Sequence, residues 1–265
     1  MKRVLYNDAW PHAWKLSHHY DGIELYGERA RIGYAYAYAE RRRHTLEFVS
    51  RAAAPPARVL DVAAGQGNFT LALAELGYEV TWNDLRTELA DYVRLKHERG
   101  IVHYAPGNVL DLGVRACFDV ALITEVIEHV AHPDAFLARV AEMVVPGGHI
   151  VMSTPNGGYL FNKLPIFSGH PDPSVFETEQ FEPNASGHIF LLHDNEIGPL
   201  AAQAGLEVVE HRVFANVLTS GYLKTGPLLR LLPRRVVTGL EAFSRQVPFL
   251  RGLHTSTVTL FRKPT

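Results

Sequence analysis

Arg58-Val59-Leu60-Asp61-Val62-Ala63-Ala64-Gly65-Gln66-Gly67-Asn68-Phe69 is the stretch on which the fold turns. Its first half, RVLDVA, is a short β-branched and apolar run ending near Ala63, and the AGQG that follows is a glycine-rich turn. Apolar Phe69, Ala72, Leu73 and Leu76 then recur at helical spacing, with Asn68 read as the cap and Gly77 as the stop. A strand, a glycine turn and a helix N-terminus in that order turn free backbone N–H groups toward a space that a ligand can enter.

The same alternation continues downstream. EVTWND (79–84) reads as a second strand, Thr87 to Glu98 as a helix stopped at Gly100, and Val102 to Ala105 as a short third strand. DVALIT from Asp119 reads as a buried strand, a helix opens at Pro133 where proline is well placed, and the turn VPGG ending at Gly148 precedes the strand HIVMSTP. Short β-branched runs alternating with amphipathic helices predict an α/β fold, a parallel sheet covered on both faces. After Pro155 the alternation lapses until a helix capped by Asp194, with His193 belonging to the cap, Ile197, Leu200, Ala201 and Ala204 on one face, and Gly205 just past its end. LEVVEHRVF and HTSTVTLFR supply the sixth and seventh strands.

Three segments stand outside this pattern. Residues 1–56 read as a helical leader or lid, clearest from Ala35 to Ser50 and stopped by Pro55-Pro56, ahead of one domain over 57–265. His12, His18, His19, Trp10, Trp14 and Tyr20 in the leader read either as a lid over a substrate or as a docked aromatic surface. Residues 157–190, rich in Pro, Gly and aromatics, form an insertion near the carboxyl ends of the strands, where open α/β sheets place ligands. Residues 215–252 form a second insertion, in which Lys224, Arg230, Arg234, Arg235, Arg245 and Arg251 face the single acid Glu241 and alternate with leucines. That pattern fits three roles: contact with an anionic membrane surface, a cover for the substrate, or packing against another subunit.

At 265 residues the chain has room for one large domain with appendages. Lys plus Arg total 26 against 28 for Asp plus Glu, a formal charge of −2, which argues against a general nucleic-acid binder. Hydrophobic residues at 47% and charged residues at 20% exclude a disordered or fibrous chain. Cys117 alone can build neither an internal disulfide nor a cysteine-rich zinc site. The first residues lack a secretory signal pattern, so a reducing cytoplasm is the expected compartment.

Asp84 sharpens the reading of the glycine turn. It closes the second strand 23 residues after Asp61, where a carboxylate can accept both hydroxyls of a ribose. Turn and acid in this order point to an adenosine-type cofactor. A dinucleotide site wants a small residue at the third position of G-x-G-x-x-G, and Thr70 stands there. A triphosphate loop would end in Gly-Lys-Ser/Thr, which is absent.

Taken together, residues 58–214 resemble the class I S-adenosylmethionine-dependent methyltransferases. Asp61 to Gly67 is similar to their D-x-G-x-G-x-G loop, Asp84 to their ribose-binding acid, and Gly107-Asn108-Val109 to their adenine-contacting segment. Phe118-Asp119 through Thr124-Glu125-Val126-Ile127-Glu128-His129-Val130 resembles the post-strand motif of small-molecule O-methyltransferases typified by ubiquinone-biosynthesis enzymes, and Pro146-Gly147-Gly148 completes the series. The resemblance implies a Rossmann-like, mostly parallel seven-stranded sheet. It implies S-adenosylmethionine as cofactor, S-adenosylhomocysteine as product, and cofactor contacts from Asp61, Ala63, Gly65, Gly67, Asp84, Leu85, Asn108, Val109 and Thr124. Ala63 and Asn108 depart from the pattern. Ala63 replaces a glycine, tolerable at negative φ and a burden at positive φ. Asn108 replaces an acid, and its amide can still accept from an adenine amino group.

Glu125, Glu128 and His129 lie three and four residues apart, so on a helical turn they share a face. With His188 from the first insertion they form a candidate site for a divalent cation such as Mg2+, used by some relatives with E-x-x-E-H. Without metal, His129 with Glu128 or His188 is the candidate acid–base group, because methyl transfer requires alignment of the acceptor and removal of its proton. Trp82, beside Asp84, reads as packing. The expected activity is methyl transfer to an oxygen, less readily a nitrogen, of a small molecule. An RNA 2′-O-methyltransferase and a catalytically silent cofactor-binding module are the alternatives, with an NAD-linked oxidoreductase behind them.

Overall fold

The computed structural model describes residues 1–27, 31–180 and 187–265. Its elements run α1 (His12–Glu24), α2 (Ile32–Ala52), β1 (Arg58–Val62), α3 (Asn68–Glu75), β2 (Glu79–Trp82), α4 (Leu89–Lys96), β3 (Ile101–Tyr104), β4 (Phe118–Thr124), α5 (Pro133–Met143) and β5 (Val144–Pro155). They continue with the one-turn α6 (Glu177–Gln180), then α7 (Asp194–Gln203), β6 (Glu207–Asn216), α8 (Gly226–Leu231), α9 (Arg234–Gln246) and β7 (His254–Arg262). The seven strands form one sheet in the order β3-β2-β1-β4-β5-β7-β6. The β1–β2, β2–β3, β1–β4 and β4–β5 pairs are parallel, while β7 runs antiparallel to both β5 and β6. The order reverses between β1 and β4, which opens a crevice at the carboxyl ends of those strands.

Alternation along the strands sorts the core into two layers. Leu60, Val62, Ala121, Ile123, Ile150 and Met152 pack with Leu137 and Val140 of α5 and Ile197 and Leu200 of α7. Val59, Val120, Leu122, Val151, Val258 and Leu260 pack on the other face with Phe48 and Val49 of α2 and Phe69 and Leu73 of α3. Both faces are therefore covered by helices, as the apolar runs predict. Asp61 shares a register parity with Val59 and turns toward α3.

Several boundaries differ from the sequence reading. Gly67, at φ 74°, is the residue before α3, and Asn68 is its first helical residue, with its side chain drawn away to α1 and α4. Helix α4 covers only Leu89–Lys96, because His97 is already extended. His193, rather than Asp194, precedes α7; its N–H donates to Glu196 Oε2 at 2.9 Å, and Asp194 is free to pair with His211 and Arg251. Of the 157–190 insertion, residues 181–186 lie outside the described residues.

The leader's aromatics form a docked surface. Trp10 and Trp14 meet the ring of Tyr92 on α4 at 5.9 and 5.7 Å, His18 and Tyr6 close the cluster, and Trp14 Nε1 donates to Glu88 O at 2.8 Å. Among the described residues no helix is long and apolar enough to cross a membrane.

Candidate active site

The turn after β1 uses the left-handed region three times in five residues: Ala63 at φ 51°, Gly65 at 55° and Gly67 at 74°. A Cβ on Gly67 would come within 2.8 Å of Val93, so glycine is required there for space as well as conformation. Ala63 has no such exemption. Its positive φ costs about 1–2 kcal/mol, so the methyl that departs from the family pattern sits on a residue that the turn holds in the unfavourable region.

Buried side chains hold this turn from behind. Trp82 Nε1 donates to Gly65 O at 3.0 Å, which makes Trp82 a support for the loop. Lys96 Nζ donates to Gln66 O at 3.0 Å and Asn68 Oδ1 at 2.6 Å, and pairs with Asp21 Oδ2 at 2.7 Å. Tyr92 donates its hydroxyl to the same Asp21 oxygen at 2.8 Å. Glu24, one helical turn beyond Asp21, accepts from Gln66 Nε2 at 3.0 Å, Asn68 Nδ2 at 2.8 Å and the Tyr34 hydroxyl at 2.7 Å. Burial raises the Glu24 pKa against these donors, and burial lowers that of Lys96 against the pull of Asp21. The leader is thus bonded to the two residues that shape the glycine turn.

Asp84 closes the other side. Its carboxylate accepts from Gly65 N at 2.7 Å, Arg86 N at 2.8 Å, Arg86 Nε at 3.0 Å and Arg86 Nη2 at 3.1 Å. Beyond it opens a cavity of about 490 Å³, lined by Val62, Ala63, Asn83, Asp84, Leu85, Arg86, Asn108 and Val109 on one side and by Glu125, Val126, His129 and Val130 on the other. Its volume suits a nucleoside-sized ligand. Asn108 reaches the wall, with its Oδ1 already accepting from Leu110 N at 3.1 Å.

Asp61, read as a cofactor contact, lies behind the turn. It is buried, takes the Thr70 hydroxyl at 2.5 Å on Oδ2, and Oδ1 has no partner among the described residues. Burial pushes its pKa up to about 7, with Thr70 opposing and the Asp84 charge adding. Its geometry is that of a support for α3. Thr124 ends β4 next to the cavity wall.

The post-strand motif also separates. Glu125 is at φ 54°, and only Ile127–His129 form a short 3₁₀ turn. The carboxylate of Glu125 swings to the leader, accepting from Arg41 Nη2 at 2.8 Å and Ser153 Oγ at 3.1 Å, so it does not share a face with the other two. Glu128, His129 and His188 do come together, with one ligand atom from each within 4.8 Å of the others. Glu125 therefore drops out of the expected ligand set. Glu128 is buried and accepts from Thr154 Oγ1 at 3.0 Å through Oε2, while Oε1 has no partner among the described residues. Burial and the nearby Glu125 charge raise its pKa well above the carboxylate range. His129 Nδ1 lies 2.8 Å from the Gly187 carbonyl, which can only accept; Nδ1 carries the proton and Nε2 is the basic nitrogen. The two imidazole rings stand 4.9 Å apart, and burial with the neighbouring His129 lowers the His188 pKa.

A family profile described as a methyltransferase domain matches residues 34–211. The chain belongs to this methyltransferase family. The ubiquinone biosynthesis O-methyltransferase of Xanthomonas axonopodis pv. citri (strain 306) is 40% identical over 116 residues, 42% of this chain and 48% of that protein. That of Xanthomonas oryzae pv. oryzae (strain PXO99A) is 38% identical over 104 residues, 38% of this chain and 44% of that protein. The methyltransferase chain thus spans about half the length of the curated relatives it matches. Among solved structures, the [4+2]-cyclase SpnF superposes with a TM-score of 0.59 at 15% identity over 96% of this chain and 97% of its own. The Burkholderia thailandensis 1,6-didemethyltoxoflavin-N1-methyltransferase, solved with S-adenosylhomocysteine, does so with a TM-score of 0.54 at 19% identity over 99% and 94%. These neighbours share the fold, and the S-adenosylmethionine dependence read from the motifs accords with the family.

Motif reading alone misses Arg41, Arg86, Lys96, Asp21 and Glu24. Lys96 had a signal, a lysine close to the apolar Tyr92 and Val93 in a short amphipathic helix. Arg41, Asp21 and Glu24 reach the site only through contacts distant in sequence, whereas Arg86 folds back on Asp84 two residues before it.

Proposed function

We propose that this methyltransferase transfers the methyl group of S-adenosylmethionine to an oxygen of a small-molecule acceptor, with His129 as the base. The supporting observation is one cavity whose near wall is Asp84 beside the Gly65 N–H and whose far wall is His129, whose Nε2 has no hydrogen bond among the described residues. Oxygen is favoured by the O-methyltransferase names of the sequence relatives, while the structural neighbours include an N-methyltransferase.

The bound cofactor supplies an electrophilic methyl on a sulfonium centre. The chain's part is placement and proton transfer. Asp84 would hold the ribose hydroxyls once Arg86 gives up its oxygens, and Leu85, Asn108 and Val109, which line the same cavity, would flank the adenine. His129 Nε2 takes the acceptor's proton, and the imidazolium formed is held by its Nδ1–H bond to Gly187 O.

Titration calorimetry with S-adenosylhomocysteine tests the cofactor half: Asp84→Ala should abolish detectable binding, and equal binding would overturn it. His129→Gln should keep that affinity and slow product formation by about 10²–10⁴-fold if His129 is the base. Unchanged turnover removes the base assignment.

A second reading rests on Oε1 of Glu128, which has no hydrogen-bond partner among the described residues. Together with His129 and His188 it fits a divalent cation, which would act as a Lewis acid toward the acceptor oxygen. The two readings compete for His129 Nε2. Thermal melting of chelator-stripped protein with added Mg2+ or Mn2+ separates them, since a saturable rise lost in Glu128→Gln supports the cation.

A further inference from the structure

We infer that the 215–252 insertion, together with the exposed tip at Leu160 and Phe161, docks on an anionic lipid bilayer. The insertion carries six cations and one acid, a formal +5 in a chain whose total is −2, which leaves −7 for the rest. Its acid, Glu241, is 1% exposed and spent internally, accepting from Asn216 N at 2.9 Å and the Thr219 hydroxyl at 2.6 Å. Arg251 and Arg245 are paired with Asp194 and Glu40 of other elements. Among the described residues no acid pairs with Lys224, Arg234 or Arg235, and all three are exposed.

The apolar side chains between these cations face outward. Helix α9 packs on β6 through Val237, Glu241 and Ser244. At 100° per residue, Val236, Leu240 and Phe243 lie within about 60° of one another on a separate stripe, and they are 41%, 52% and 64% exposed. Leu231 at the end of α8 is 82% exposed and Phe249 after α9 is 84% exposed. The first insertion adds to this surface: Leu160 N donates to Gly252 O at 2.9 Å, and Tyr159 packs edge-on to Tyr222 at 5.3 Å. That contact sets exposed Leu160 and Phe161 beside exposed Tyr222 and the Phe249 turn.

Protruding leucine and phenylalanine set among lysine and arginine match an interfacial amphipathic helix, whose apolar side enters the acyl boundary while the cations meet anionic headgroups. A second copy of this chain is a poorer occupant, because like faces would oppose positive charge to positive charge.

Vesicle co-sedimentation of the full chain tests the inference, using phosphatidylcholine alone and with about one-third phosphatidylglycerol. Binding should require phosphatidylglycerol and weaken as salt is raised. Lys224→Glu with Arg235→Glu should lower the binding constant roughly 25-fold or more, from about fivefold per cation. Leu231→Ser with Phe249→Ser should also lose binding. Both variants change only exposed side chains, so melting temperature and S-adenosylhomocysteine affinity should stay at the parent's values. No binding to either vesicle, or unaltered binding by both variants, overturns the proposal. So does a parent dimer in light scattering that Leu231→Ser with Phe249→Ser converts to monomer, since the face is then covered by a second copy.

Discussion

Replacing Lys96 by methionine removes one ammonium that ties three parts of the molecule together. Lys96 is 1% exposed, and its three protons go to Asp21 Oδ2 at 2.7 Å, Asn68 Oδ1 at 2.6 Å and Gln66 O at 3.0 Å. Methionine has a similar length and no donor, so among the described residues the carboxylate of Asp21 keeps only the Tyr92 hydroxyl while remaining 2% exposed. Breaking a buried pair from one side costs about 3–5 kcal/mol, against a total stability of about 5–15 kcal/mol for a domain. Most of that loss is the stranded carboxylate. Lys96→Met with Asp21→Asn should therefore recover more than half of it, because the neutral amide can still accept from Tyr92. Urea denaturation followed by tryptophan fluorescence gives the stabilities. The same contact holds the Gln66 carbonyl at the crest of the glycine turn, so S-adenosylhomocysteine should bind the single variant about tenfold more weakly, the worth of about one hydrogen bond to a charged group. A loss under about 1 kcal/mol with unchanged ligand affinity would show that the bond between leader and turn does not order the cofactor site.

Other residues near the site give predictions of opposite sign. Ala63→Gly should raise stability by up to about 1 kcal/mol, since relief of about 1–2 kcal/mol at positive φ exceeds the extra freedom glycine gains on unfolding; a lowered melting temperature would contradict the turn geometry. Arg86→Ala should leave S-adenosylhomocysteine affinity unchanged or a few-fold tighter, because the guanidinium occupies the Asp84 oxygens that ribose hydroxyls need; marked weakening would mean that Arg86 touches the ligand. Burial pushes the Asp61 carboxyl up from its ordinary 3.8 to about 7 in the folded state. The folded state then binds the proton more tightly, and its contribution to stability is full below 3.8 and falls as pH rises toward 7. Asp61→Asn should flatten that part of the pH–stability curve and gain stability relative to the parent at pH 8, as read from melts across the range; parallel curves would refute the shifted carboxyl.

Much of the architecture was legible along the chain because burial on both faces of a sheet imposes local rules. Leu60 and Val59 belong to opposite layers simply by alternating, and the run from Asp119 to Thr124 had to be a central strand. The glycine turn and Asp84 were legible as well, since a βα turn and the next strand end are brought together by parallel pairing of β1 with β2. Cap positions were less so. Asn68 has the chemistry of a cap, yet tertiary partners on α1 and α4 hold its side chain elsewhere.

What the residue order determined by itself was therefore the sheet, its two apolar layers, and the place of the glycine turn and its acid, because these depend on periodicity and on neighbours one crossover apart. The three-dimensional packing alone decided that Glu125 turns to Arg41 while Glu128 joins His129 and His188, that Asp61 serves as a buried prop, and that Lys96 binds the leader to the turn. Those outcomes depend on which charges and donors are left to satisfy one another once water is excluded, and segments far apart in sequence supply the partners.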